Sequence, residues 1–203
     1  MDIQHLTDTE LDAALTEALR GLDLDRFEQL ATLADQRHAA REARLARPAA
    51  LAEAALWYAR QGWPVFPLQP RGKKPYPGSR GLHDATTDTD QVGIWWTDRP
   101  ASNIGLATGH VFDVIDVDGP PGFASLADLR EDGMIPPVLG KVWTPAGGRH
   151  LFVAPTGDGN AAGLRPGVDY RGLGGYVVAP PSVHPNGGRY EWMQPFTPVP
   201  VAA

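Results

Sequence analysis

The period of the hydrophobic positions changes near residue 48. Before it, apolar residues recur at helical spacing: Leu11, Ala14, Leu15, Ala18 and Leu19, then Phe27, Leu30, Leu33 and Ala34. A recurrence every three or four residues lines one stripe of a helix. Thr7-x-x-Glu10, just ahead of the first stripe, is a capping-box pattern, and Gly21 stands where that helix should stop. A second helix is expected from near Asp23 or Asp25 to about Arg47. Arg41, Arg44 and Arg47 lie in and near its last turns, where positive charge complements the helix dipole. The stretch holds one glycine and no proline, against 23 and 20 in the whole chain. It reads as a helical appendage, residues 1–47, whose stripe serves packing or oligomerisation.

From Pro48 onward the pattern is different. Pro48 suits the first turn of a third helix, Ala49 to Gln61, with Ala52, Ala55, Leu56 and Ala59 on its apolar face and Gly62 behind it. Short apolar runs then alternate with glycine and proline clusters, which is how strands broken by turns look in sequence. Trp63 to Leu68 (W-P-V-F-P-L) carries prolines and reads as an edge strand. Further strands are expected at Asn103–Gly109, along Val111 to Gly119, at Lys141–Thr144, Arg149–Ala154 and Tyr176–Ala179, and at Arg189–Trp192. Segments 104–107 and 111–118 are expected to pair through a turn at Gly109-His110. Short helices are expected over Thr89–Trp96, with Trp95 and Trp96 as core, and over Phe123–Asp132. Residues 155–167 read as a loop, and F-T-P-V-P-V-A-A at the end as a tail or linker. The fold class is α+β: mixed or antiparallel sheets flanked by helices in a domain 48–203, with an N-terminal helical hairpin.

Composition narrows the class. Hydrophobic residues make up 42% and charged residues 21%, as in soluble globular proteins. The absence of cysteine excludes disulfides and thiolate metal sites. No apolar run is long enough to span a membrane, and M-D-I-Q-H-L-T-D lacks the basic and apolar regions of a secretory signal, so the expected location is cytoplasmic, with no membrane partner. The net charge of −6 divides into −4 over residues 1–47 and −2 over the rest, so no broad basic surface advertises nucleic acid. A local cluster of Arg71, Lys73, Lys74 and Arg80 can meet phosphate.

The densest chemistry is in V-F-D-V-I-D-V-D-G, Val111 to Gly119. Alternation along a strand puts Asp116 and Asp118 on one face, roughly 7 Å apart, and Asp113 on the other. Neighbouring carboxylates repel unless a cation lies between them, and oxygen ligands of this kind suit Mg²⁺ or Mn²⁺. The motif alone leaves a solvated strand end as the alternative. His150, in the turn-and-strand segment G-G-R-H, has neither an H-x-x-x-H nor a cysteine partner for zinc. His184, after P-P-S, is either a nucleotide contact or a loop histidine without a role.

The order of these motifs is more telling than any one of them. D-x-D, then G-G-R-H, then V-D-Y-R-G-L-G-G-Y-V-V-A-P-P-S resembles the bifunctional primase–polymerase domain of the archaeo-eukaryotic primase superfamily. The resemblance runs from about Ala49 to Trp192 and takes in W-P-V-F-P-L, G-K-K-P, H-D-A-T-T-D, the tryptophan pair and N-I-G-L-A-T-G. It implies an archaeo-eukaryotic primase-like core and a nucleotidyltransferase that synthesises, and extends, primers on single-stranded DNA. Asp116, Asp118 and Asp169 would be the catalytic carboxylates, holding two divalent metals, Mg²⁺ or Mn²⁺. His150 would contact the phosphates of an incoming NTP or dNTP, with Arg149, Lys73 and Lys74 reaching the triphosphate. Backbone N–H groups of the turn at Gly147-Gly148 would stand in for a serine that many relatives carry at position 148. A replicative helicase is the protein partner implied. Two other classes compete: a non-catalytic module that binds DNA or a helicase, and a metal-dependent phosphodiesterase using the same acids.

Overall fold

The computed structural model describes residues 3–45 and 49–197, with the backbone alone over 41–45. The expectations for the side chains of Arg41 and Arg44, for Arg47 and Pro48, and for the chain from Pro198 onward fall outside the described residues. The chain divides into two compact units, Met1–Arg47 and Pro48–Ala203.

The first unit is an antiparallel pairing of stripes on α1 (Asp8–Arg20) and α2 (Leu24–Leu45). Leu11, Ala14 and Ala18 pack on Leu30 and Leu33. The capping box is complete: Thr7 Oγ1 accepts from the Glu10 amide at 3.3 Å, and Glu10 Oε2 accepts from the Thr7 amide at 2.7 Å. Leu19, one step too far round the helix, is 56% exposed. Gly21 caps α1 with a right-handed φ of −80°. Leu22, with φ 53°, makes the left-handed turn expected of the glycine.

The second unit begins with α3 (Ala49–Arg60), whose Ala55, Tyr58 and Ala59 are buried. It continues through β1 (Val65–Leu68), α4 (Thr89–Asp98), β2 (Asn103–Ala107), β3 (Asp113–Val117), α5 (Gly119–Glu131), β4 (Val138–Trp143) and β5 (Arg149–Val153). It ends with β6 (Ala161–Arg165), β7 (Val168–Arg171), β8 (Tyr176–Ala179) and β9 (Glu191–Gln194). The strands form two sheets, β1-β2-β8 and β6-β7-β3-β5-β4-β9, with every paired strand antiparallel. The class is therefore α+β with antiparallel sheets, and β1 lies at a sheet edge as its prolines require.

Several local expectations are corrected. The 104–107 and 111–118 segments do not pair: β2 joins β1 and β8, whereas β3 joins β5 and β7. All five residues of β2 are buried, so it needs cover on both faces and takes the centre of the small sheet. Gly105 is part of that fit, since a Cβ there would lie 2.6 Å from the Phe66 ring. Residues 155–167 are not all loop. β6 forms there with every side chain exposed, held by the edge of β7 rather than by an apolar pattern, so alternation could not announce it. The helix expected from Phe123 starts at Gly119, with Pro120 and Pro121 in its first turn. Phe196 belongs to the core rather than a tail, its ring 4.8 Å from that of Trp63. Trp96 is buried as expected, its indole N–H donating to Ser102 O.

Alternation along the central strands divides the large sheet cleanly. Val114 and Phe152 face the core shared with the small sheet. Ile115, Val117, Leu151 and Val153 pack against Leu126 and Leu129 of α5. Asp116 and His150 fall on the first of these faces, where the apolar layer gives way to a cavity. Among the described residues no helix is long and apolar enough to cross a membrane.

Candidate active site

The site is built by strand register. β3 runs between β7 and β5, and Asp116 stands directly opposite Asp169 on one side and His150 on the other. Directly paired residues of antiparallel strands have Cβ atoms about 4.5–5.5 Å apart and project to the same face. Three candidate side chains are thus set in a row by backbone ladders alone. Asp118 lies one residue beyond β3 as the N-cap of α5, still extended at φ −114° and ψ 121°. The alternation therefore persists, and Asp118 faces the same cavity as Asp116.

That cavity, about 320 Å³, is lined by Lys73, Asp116, Asp118, Thr144, His150 and Arg171, with Asn160, Tyr176 and Tyr190 among its walls. Its volume is at the small end of the range for ligand pockets. Lys73 is brought to it by its own backbone: Lys73 O accepts from the Tyr176 hydroxyl at 3.0 Å, and the neighbouring Gly72 O accepts from Asn103 Nδ2 at 2.9 Å. Lys74 is exposed outside the lining.

Arg149 is not brought to the cavity. It alternates with His150, so its guanidinium lies on the other face, 4.9 Å from the Trp143 ring centre and 5.3 Å from that of Phe123. The Gly147-Gly148 turn also differs from expectation. The Gly148 amide donates to Thr144 Oγ1 and the Gly147 amide to Thr144 O, so neither is spare for a phosphate. A serine at 148 has no room either, since a Cβ there would lie 2.4 Å from Val117 O. His184 accepts from the Asn186 amide through Nδ1 and lies outside the cavity lining.

Arg171 is the functional candidate the sequence reading passed over. Its Nη2 lies 2.7 Å from Asp169 Oδ2 and 3.5 Å from Asp116 Oδ2. The signal was available: in V-D-Y-R, positions 169 and 171 share a strand face. Asp169 Oδ1 also accepts from the Gly163 amide of β6 at 2.7 Å. On the opposite face, buried Asp113 accepts from the Tyr170 hydroxyl and the Thr156 amide, which keeps it apart from Asp116 as alternation requires.

The electrostatics are those of a partly dry site. Burial pushes the carboxyls of both Asp116 and Asp118 above the usual range; Arg171 opposes the shift at Asp116, and Asp116 adds to it at Asp118. Burial lowers His150 from 6.5 to about 4, against the pull of Asp118. The ring is therefore neutral near pH 7. Its Nε2 lies 3.6 Å from Asp116 Oδ1, too far for a hydrogen bond, and its buried Nδ1 has no partner.

A titration follows from this. In metal-free protein the His150 ring is expected to take up its proton near pH 4, against 6.5 for an ordinary histidine. Because the folded value is depressed, the stability linked to this group is full above 6.5 and falls as the pH drops toward 4. The raised values of Asp116 and Asp118 act with the opposite sign, so the ring must be followed directly, by NMR of its carbon-bound protons. A midpoint near the ordinary value would show that the imidazole is solvated.

The donor set fits a hard divalent cation. Two carboxylates weakened as acids share one cavity, and oxygen-only donors favour Mg²⁺ or Mn²⁺. Among the described residues no three His, Cys, Asp or Glu side chains form a ready-made metal cluster, and Asp169 is engaged by Arg171.

Compared with known proteins, residues 55–202 match the family model described as bifunctional DNA primase/polymerase, N-terminal. No curated protein matches the chain.

Proposed function

The chain belongs to the bifunctional DNA primase/polymerase N-terminal domain family, and from that premise we propose that it is a metal-dependent nucleotidyltransferase that starts, and extends, primers on a single-stranded DNA template. The observation that carries the reading is the row Asp169–Asp116–His150 across three strands, with Asp118 and Lys73 lining the same cavity.

Asp116 and Asp118 hold the divalent metals, and Asp169 joins them. Held by these carboxylates, divalent metals would supply Lewis-acid stabilisation for an attacking 3′-hydroxyl and a departing pyrophosphate. The protein's own groups bind and orient the nucleotide. Lys73 reaches the phosphates with a flexible ammonium. His150, neutral and with Nε2 on the Asp116 side of the ring, offers an N–H to a phosphate oxygen without adding charge. Tyr176, Val177, Val178 and Tyr190 wall the cavity and limit water beside the reacting phosphate. Arg149 and Lys74, outside the lining, are left out of this assignment.

The test is synthesis on unprimed and primed single-stranded DNA with labelled nucleotides. Short products from unprimed template, lost with EDTA and restored by Mn²⁺ or Mg²⁺, are the expected result. Extension without initiation would keep the polymerase and remove the primase. Absence of product in both assays from folded protein would overturn the catalytic reading in favour of a binding module. Release of nucleotides from a phosphodiester, with no need for a triphosphate, would replace it with a phosphodiesterase.

A further inference from the structure

Arg171 has no role in the scheme above, yet it occupies the position that scheme needs. A single guanidinium nitrogen touches a carboxylate from each of two neighbouring strands, Asp169 at 2.7 Å and Asp116 at 3.5 Å. A cation joining those two carboxylates would sit in the same place. Arginine does not lose its proton in proteins, so a divalent ion entering there must displace the guanidinium, because two cations cannot share the position.

The geometry says which partner gives way. Asp116 and Asp169 are fixed by the β3–β7 ladder. The intervening Tyr170 is anchored from behind, its hydroxyl donating to the buried Asp113 at 2.5 Å. Asp169 is as exposed as Arg171, 31% against 32%, but its other oxygen is held by the Gly163 amide, whereas the long Arg171 side chain lines the cavity together with Lys73. A phosphate group there offers the guanidinium fork a partner as good as a carboxylate.

We propose that Arg171 is a displaceable stand-in for the metal: it holds Asp116 and Asp169 in the resting protein and gives them up when a nucleoside triphosphate draws the guanidinium to its phosphates. The inference rests on the metal-dependent nucleotidyltransferase reading. It makes metal binding conditional on the nucleotide. Without nucleotide the metal competes with a tethered cation. With nucleotide that competitor is removed, so metal and triphosphate each strengthen the other's binding by the same factor.

The experiment measures Mn²⁺ binding to the nucleotide-free chain by electron paramagnetic resonance, for the parent, Arg171→Gln, Arg171→Lys and Asp118→Ala, with folding checked by circular dichroism. Arg171→Gln is expected to bind Mn²⁺ about tenfold more tightly than the parent, and to hold dATP in the presence of Mn²⁺ about tenfold more weakly, an ordinary size for coupling between two ligands. Arg171→Lys, which keeps the charge without the fork, is expected to fall between them, and it carries the test if the glutamine variant does not fold. A role confined to holding the fold would not move the two affinities in opposite directions. Unchanged or weaker Mn²⁺ binding in both Arg171 variants, with the parent's binding lost in Asp118→Ala, overturns this inference and leaves the metal site standing. If the folded parent binds no Mn²⁺ with or without dATP, the inference and the metal-dependent reading fall together.

Discussion

Asp116→Ala is expected to lower templated nucleotide incorporation on the order of a thousandfold or more, while leaving the melting temperature unchanged or raised. Asp116 is the middle of the row, opposite both Asp169 and His150. Loss of a group that acts as part of a catalytic unit removes most of the acceleration of the whole unit, typically about 10⁴-fold or more. The stability argument runs the other way. Burial already disfavours the Asp116 carboxylate and holds its pKa up, so folding works against this charge rather than gaining from it. Removal leaves Arg171 its closer partner, Asp169. Activity without stability is the pattern of a strained functional site. The measurement is initial-rate incorporation on a primed template beside a thermal melt. A large fall in melting temperature with a proportional loss of activity would mean that Asp116 is structural.

The second large effect concerns Gly148. A Cβ at this position would stand 2.4 Å from Val117 O, 2.9 Å from Thr144 Oγ1 and 3.0 Å from Asp118 Oδ1. The first of these is backbone, at the end of the strand that carries Asp116. Gly148→Ala is therefore expected to cost about 1–3 kcal/mol, the usual penalty for overpacking. Activity should fall further than stability, because what must move is the end of β3 next to Asp118. Gly93→Ala is the contrast. Nothing lies within 4 Å of a Cβ there, and the residue sits inside α4, so it should stabilise by up to about 1 kcal/mol through helix propensity. Paired melts and incorporation assays check both. Equal melts for the two variants would show that the turn gives way freely.

What the sequence determined by itself was local. The stripes of the first two helices and the shared face of Asp116 and Asp118 follow from periods of 3.6 and 2, and the capping box at Thr7 and Glu10 and β1 as an edge strand follow from residue types in place, none of which needs knowledge of distant residues. The motif order also carried the family. Tertiary structure decided which strands pair. A largely apolar β2 is equally consistent with a hairpin to β3 and with the centre of another sheet, and only the need to cover both of its faces settles it. Register is likewise non-local. It puts Asp169 and His150 opposite Asp116 and decides that Arg149, already on the other face, meets Trp143 and Phe123. It also lets Arg171 reach two carboxylates from different strands. β6 had no signal of its own, since all its side chains are exposed and it exists as hydrogen bonds to the edge of β7. The physical reason is the same throughout: a side chain's face depends on its own strand, but its partner depends on which ladder the whole core can bury.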